Sequence, residues 1–338
     1  MRNKRFVKGF ATLGSAAIVS AVPLLLDSQY WTSALTVVAI NVLLTASLRT
    51  VTLIGEFSLG HVGFMLVGAY TAGLLALEAG LPFGLTVPAG ALLAGFLALA
   101  LGYPFMRVKG IYFAILTVVT SESLRVLAWN WESLTGGSQG LVGIPEPGTL
   151  SLPGWGEVNF GDFLAYYYLV VILVAICLAV LYLLENSRLG FTWLAIRESD
   201  RLAGSVGINV SRYKMICFST ASFFAGLGGA LIAYQEQAIS ADPHATFGVM
   251  RTIYLLVYMV VGGERHFAGP IVGAILLSLV AEFTRSVQHY QPLIIGFIAL
   301  VVVLFMRQGL VFLPSRILAF WSVSFAGRAT RKERGVDR

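Results

Sequence analysis

Ser58, His61 and Tyr70 place a hydroxyl, an imidazole and a phenol in a stretch that is otherwise mostly glycine and hydrocarbon, GEFSLGHVGFMLVGAY at residues 55–70. Groups of these types at membrane depth suit hydrogen bonding to a polar solute in passage, because an unpaired polar group is costly against lipid. On a helix, Ser58 and His61 are three apart and share a face, with Tyr70 further along. The plainer reading of the same stretch is packing. Gly60, Gly63 and Gly68 allow close helix approach, and a buried histidine often only donates to a neighbouring carbonyl.

Two further pairs, Glu122 with Arg125 and Glu282 with Arg285, also have a spacing of three. Each reads as a local ion pair at a helix end, with a polar pathway lining as the alternative. Catalytic chemistry is missing from the pattern. The five lysines are Lys4, Lys8, Lys109, Lys214 and Lys332, none of which follows a glycine, so the chain lacks the Gly-Lys-Ser/Thr end of a phosphate-cradling loop. Any ATP hydrolysis belongs on another subunit. His61, His244, His266 and His289 are scattered without metal-ligand spacing, and Cys177 and Cys217 sit in apolar runs. The reading is therefore not an enzyme, with no metal and no cofactor on this chain.

Two polar segments stand out between apolar runs. Residues 129–162 hold TGGSQGLVGIP at 135–145 and no Lys or Arg; the segment reads as a flexible cover for a pathway mouth, a receiver for a soluble partner, or a passive connection. Residues 185–209 read ENSRLGFTWLAIRESDRLAGSVGIN, with Leu194, Ile196, Leu202 and Val206 between charges at loosely helical spacing. Short surface helices are expected there, closed by a helix stop at Gly207. The segment reads as a docking element, the alternative being a basic loop that serves orientation only.

The elements that must position these groups are membrane helices. Of 338 residues, 57% are hydrophobic and 12% charged, against about 25% charged in a soluble domain. The net charge of +6 arises in short clusters between apolar stretches, which points to a membrane rather than to nucleic acid. Windows of ~20 apolar residues give ten spans, at about 10–26, 30–48, 57–77, 85–104, 111–128, 163–184, 213–235, 248–262, 267–283 and 291–307. With both termini in the cytoplasm, 20 of the 23 Lys and Arg fall on the inner side, the others being Arg125, Arg251 and Arg285. A signal peptide is the competing reading of the N-terminus, but the apolar run continues through Pro23 without a small-x-small cleavage site, which favours a retained helix. The expected fold is all-α, a polytopic transmembrane bundle of about ten helices. A displacement of five helices reverses membrane direction, the geometry that two inverted halves require. The chain reads as one permease domain, 1–338, with a 1–9 cytoplasmic tail, a 129–162 extracytoplasmic loop, a 185–212 cytoplasmic coupling segment and a 308–338 basic cytoplasmic tail.

Taken together, SLGHVGFMLVGAY at 58–70, GIYFAILT at 110–117, TGGSQGLVGIP at 135–145, SRLGFTWLAIRESDRLAGSVGINVSRYK at 187–214, and FAGLGGALIAYQ followed by VVGGERHFAGPIVGA resemble the LivM-type permeases of ATP-binding-cassette importers. Phe191 stands where that family commonly carries a basic residue, and Glu264-Arg265-His266 replaces a plainer glycine-rich connection. The resemblance implies an inner-membrane permease for branched-chain amino acids or related small polar solutes, with urea, short amides and aromatic acids as alternatives. It implies a LivH-like second permease, two cytoplasmic ATPase subunits that hold ATP and Mg, and an extracytoplasmic solute-binding protein. It also implies that Arg188, Gly190, Arg197, Glu198 and Gly207 act as contact or hinge positions toward the ATPase. The competing functional classes are a self-contained secondary carrier of a small organic solute and, behind it, a membrane assembly factor.

Overall fold

A computed structural model of the chain describes residues 28–152, 156–243, 246–305 and 309–310. The 10–26 span, the 1–9 tail, His244 and, apart from 309–310, the 308–338 tail lie outside the described residues. The other nine expected spans are helices: α1 (Gln29–Thr52), α2 (His61–Leu77), α3 (Phe83–Phe105), α4 (Ile111–Asn130), α6 (Phe163–Glu185), α9 (Val210–Glu236), α10 (Val249–Gly262), α11 (Ala268–Phe283) and α12 (Gln291–Phe305). Between them lie the short helices α5 (Glu132–Thr135), α7 (Arg188–Glu198) and α8 (Asp200–Ser205). Five helices, α1, α3, α4, α6 and α9, have 20 to 27 residues and are apolar enough to cross a membrane. At 1.5 Å per residue these span the ~30 Å of a hydrocarbon core. The chain is a polytopic helical membrane bundle.

The described residues divide into two compact units, one up to Leu255 and one from Leu256, the division falling inside α10. In the first unit α1 and α9 are central: 78% and 72% of their most apolar stretches are buried, against 22% for α4 and 28% for α6. The outer helices turn Ile115, Val119, Ile172, Ile176 and Leu183 outward, a surface suited to lipid rather than water.

Small residues set the helix spacing. An added Cβ at Gly68 of α2 would overlap the backbone of Gly226 on α9, and one at Gly90 of α3 would overlap the Gly68 carbonyl. Gly60 and Gly63 meet Thr117 and Ser121 of α4 in the same way. Three helices therefore pack backbone to backbone, where dispersion and not the hydrophobic effect must hold them. The stretch at 55–70 differs from expectation at its start. Gly55 takes φ +78, residues 56–60 are irregular, and α2 begins at His61. Ser58 precedes the helix, so it does not share a helix face with His61.

Opposite the end that carries α7, the described residues of the 129–162 segment include short paired strands. Strand β1 (Leu141–Val142) pairs antiparallel with β4 (Ala238–Ile239), Leu141 facing Ile239, and β2 (Thr149–Leu152) pairs with β3 (Gly156–Asn159). Gly140, at φ +71, lies so close to the Ile239 carbonyl that a Cβ would overlap it. Gly136 and Gly140 serve close backbone approach, whereas an added Cβ at Gly143 or Gly148 meets nothing within 4 Å.

In the second unit, α11 packs on the second half of α10 through Gly269 and Gly273, whose added Cβ atoms would overlap the carbonyls of Gly263 and Tyr258. A 3₁₀ turn, Arg285–Tyr290, then leads into α12, and Arg285 pairs with Glu282 at 3.2 Å.

Candidate functional site

Ser58, His61 and Tyr70 are all buried, Ser58 just before α2, His61 at its first residue and Tyr70 in its middle. Ser58 Oγ accepts from the Gly60 N–H at 3.3 Å, closing the irregular turn before α2. His61 Nε2 lies 2.9 Å from Ser47 Oγ on α1, and Ser47 Oγ donates to the Leu44 carbonyl at 2.9 Å. With the hydroxyl hydrogen so engaged, Nε2 is the donor to Ser47, a tautomer assigned from this network. Tyr70 lies two and a half turns further along. Its hydroxyl is buried and has no hydrogen-bond partner among the described residues. Sequence reasoning singled out these three residues but not Ser47, because a partner 14 residues away on another helix leaves no local signal.

The α7 end holds a charge cluster built from four parts of the chain. Lys214 Nζ of α9 lies 3.1 Å from Glu56 Oε1 in the α1–α2 turn and 3.2 Å from Asp200 Oδ2 of α8. Lys109, from the α3–α4 turn, pairs with the same Asp200 oxygen. Glu56 Oε2 accepts from the Gly110 N–H at 2.8 Å, at the start of α4. Both Lys214 and Glu56 are only 4% exposed. Burial alone would raise the Asp200 pKa, but its two lysine partners hold it below the usual carboxylate value. Beside this cluster, the Arg49 guanidinium grips Glu185 with two bonds of 2.7 and 2.8 Å, fixing the end of α1 to the end of α6.

These contacts seat the 185–209 segment. Ser187 Oγ accepts from the Leu189 N–H at 3.2 Å and Ser199 Oγ from the Leu202 N–H at 3.3 Å, so each serine caps a short helix. Trp193 is fully buried and donates from Nε1 to the Tyr213 carbonyl at 3.1 Å, while Ile196 is buried beneath α7. Gly190 leaves no room for a Cβ against the Glu185 carbonyl. At the end of α8, Gly207 N–H donates to Gly204 and Ile208 N–H to Ala203, and Gly207 takes φ +88, a Schellman stop. An added Cβ there meets nothing within 4 Å, so Gly207 ends the helix and makes no close contact. The outward surface carries Arg188, Arg197, Glu198 and Arg201, with apolar Phe191, Leu202 and Val206. Leu202 and Val206 are 71% and 76% exposed, whereas Ile196 is buried and holds the segment to the bundle.

Two expectations about charge pairs meet in one residue. Arg125 bonds Glu122 at 2.8 Å and also donates from Nη1 to the Ala241 carbonyl at 2.8 Å, so the pair is a local bridge that also anchors the backbone after β4. Among the described residues no cluster of three or more His, Cys, Asp or Glu side chains is placed to hold a metal ion.

A family model described as the permease component of branched-chain amino acid transport systems matches residues 30–306. The LivM high-affinity branched-chain amino acid permease of Salmonella typhimurium is 31% identical over 293 residues, covering 81% of this chain and 68% of the relative. The LivM protein of Escherichia coli is 32% identical with the same coverage. The guanosine ABC transporter permease NupQ of Bacillus subtilis is 27% identical over 251 residues, 71% of this chain and 76% of the relative. No solved structure matches the chain.

Proposed function

This chain belongs to the permease-component family of branched-chain amino acid transport systems, and from that premise we propose that its solute is a branched-chain L-amino acid. As a permease subunit of an ATP-driven importer it forms a translocation pathway and is not itself a catalyst, which sets the secondary-carrier reading aside. The observation that carries the solute assignment is the 31% and 32% identity to two LivM proteins over 81% of the chain. A nucleoside is the second reading, favoured by the similarity to the guanosine permease.

In our reading the end that carries Arg49, Lys109 and Lys214 faces the cytoplasm, as the positive-inside rule requires, and both termini lie there. The 1–338 chain acts as one permease domain, paired with a LivH-like second permease. An extracytoplasmic binding protein delivers the solute to the 129–162 side. Two cytoplasmic ATPase subunits hold ATP and Mg, and one of them docks on α7 and α8 through Phe191, Leu202 and Val206, rimmed by Arg188, Arg197 and Glu198. Gly190 and Gly207 give those helices their seat and their stop. Tyr70 lines the solute path; beside it Ser58 closes the turn before α2 and His61 holds α2 against α1.

The test is uptake of L-leucine into proteoliposomes that carry the chain with its permease partner, ATPases and binding protein. ATP-dependent uptake supports the assignment. Uptake of guanosine in place of leucine transfers it to nucleosides, and ATP-independent uptake by the chain alone overturns it.

A further inference from the structure

Helix α4 is the least buried of the five long helices and also the least apolar. Contact with lipid alone favours the opposite combination, because an outer face gains from being apolar along its whole length. The outward stripe of α4 runs through Tyr112, Ile115, Val119, Ser123 and Val126, spaced three and four apart and all exposed. Its apolar members suit lipid or protein equally. Two polar groups halfway along the helix do not suit lipid. Glu122 is the twelfth of the 20 residues, so it stands roughly 17 Å along a helix that rises about 30 Å. Ser123 follows it and is the smallest side chain of the stripe.

The Glu122 carboxylate is only partly used. Its Oε2 accepts from Arg125 Nε at 2.9 Å and lies 2.8 Å from Arg125 Nη2, while Oε1 has no partner among the described residues. The remaining amine of Arg125, Nη1, is committed to the Ala241 carbonyl at 2.8 Å. The Glu122 side chain keeps 33% exposure against 11% for Arg125, so the carboxylate and not the guanidinium meets the surroundings. An ionisable group at membrane depth almost always faces protein or a water-filled cavity, since hydrocarbon offers no hydrogen-bond donor. A water-filled cavity here would also wet Ile115, Val119 and Val126, which are 51%, 55% and 46% exposed. A helix of another membrane protein meets every need at once. Its apolar side chains pack on those three, Ser123 lets the two backbones come close, and one donor completes the carboxylate.

We propose that this face of α4 is the contact surface for the second permease subunit, which packs a helix across Ser123 and sets a hydrogen-bond donor against Glu122 Oε1. Helix α6 is the contrast. Its outward stripe, Ile172, Ile176, Val180 and Leu183, is apolar throughout and suits lipid. The proposal rests on the chain working as one of a pair of permeases, and it adds which face joins them.

The experiment uses membranes that carry the assembled transporter, with photoactivatable benzoylphenylalanine at Val119 of α4 or, as the control, at Val180 of α6. Irradiation is expected to join the chain to the second permease from position 119 and to give lipid adducts from position 180. Lipid adducts alone from 119, a link to another copy of this chain, or a link within the chain overturns the proposal, and an equal yield of permease product from 180 overturns the choice of face. A second arm measures how much second permease stays with the affinity-purified chain. Glu122→Leu should lower it about tenfold, the loss of one charge-assisted hydrogen bond, while Glu122→Gln, which keeps an acceptor oxygen, holds most of it. If Glu122→Leu fails to insert, Val119→Trp decides, because it changes only an exposed side chain; unchanged retention in that variant overturns the surface. A parent transporter that holds no second permease instead overturns the paired-permease reading on which the surface rests.

Discussion

Arg49 and Glu185 meet with good geometry, but Glu185 keeps 19% side-chain exposure, so removing its partner is costly without being extreme. Arg49→Met should destabilise the solubilised protein by about 3 kcal/mol, the lower end for a broken buried pair. Arg49→Met with Glu185→Leu should recover most of that, since no orphan charge remains; thermal unfolding of the two variants checks both statements. Lys214 is the more exacting residue, because it serves two carboxylates. Lys214→Met leaves buried Glu56 without its ammonium, and the expected outcome is loss of the seat of α8, read as ATP turnover no longer coupled to uptake. Asp200 adds a pH dependence of known sign. Its folded pKa is depressed, so its contribution is present above its unfolded value near 3.9 and is lost as pH falls through the lower folded value.

At the scale of elements, the crossing of α2, α3 and α9 is set by glycine. Gly68→Val puts carbon where the Gly226 backbone lies, an overpacking that costs typically 1–3 kcal/mol, ~3 or more here because backbone and not a side chain must move. The expected result is loss of folded protein on size-exclusion chromatography, and a normal elution profile would show that these helices give way. The α7–α8 pair calls for a different variant. Leu202→Asp with Val206→Asp alters only exposed side chains, so membrane insertion should stay intact while co-purification of the ATPase falls about tenfold, as for loss of an interface anchor. A Gly207→Trp change does not separate docking from orientation. At φ +88 any side chain strains the backbone, by about 1 kcal/mol, before a partner is involved.

For the whole molecule, the purified chain is expected to bind and hydrolyse no ATP, since its five lysines include none after a glycine. Turnover by the chain alone, retained after stringent removal of contaminants, would defeat the subunit assignment. Reporter fusions at both termini should report a cytoplasmic location, and opposite locations would overturn the orientation that places 20 of 23 basic residues inside.

The nine spans among the described residues were legible from sequence because hydrocarbon thickness fixes a length and a composition for each helix, whatever its neighbours are. So were the local devices: the i, i+3 pairs Glu122–Arg125 and Glu282–Arg285, the short helices after Ser187, and the stop at Gly207. Each depends on residues a few positions apart. What the sequence left open is which distant polar groups meet. Glu56 and Lys214 are 158 residues apart, Arg49 and Glu185 136, Asn41 and Arg251 210, and nothing in either partner's neighbourhood specifies the other. Even the start of α2 belongs to this class. Apolar composition carried the helix back to residue 57, whereas Glu56, drawn to Lys214 and to the Gly110 N–H, stands at the head of an irregular turn that ends only at His61. Local chemistry fixes where a membrane helix can form. The pairing of buried charges across helices decides where it must stop, because each charge taken out of water requires a partner that only packing can bring.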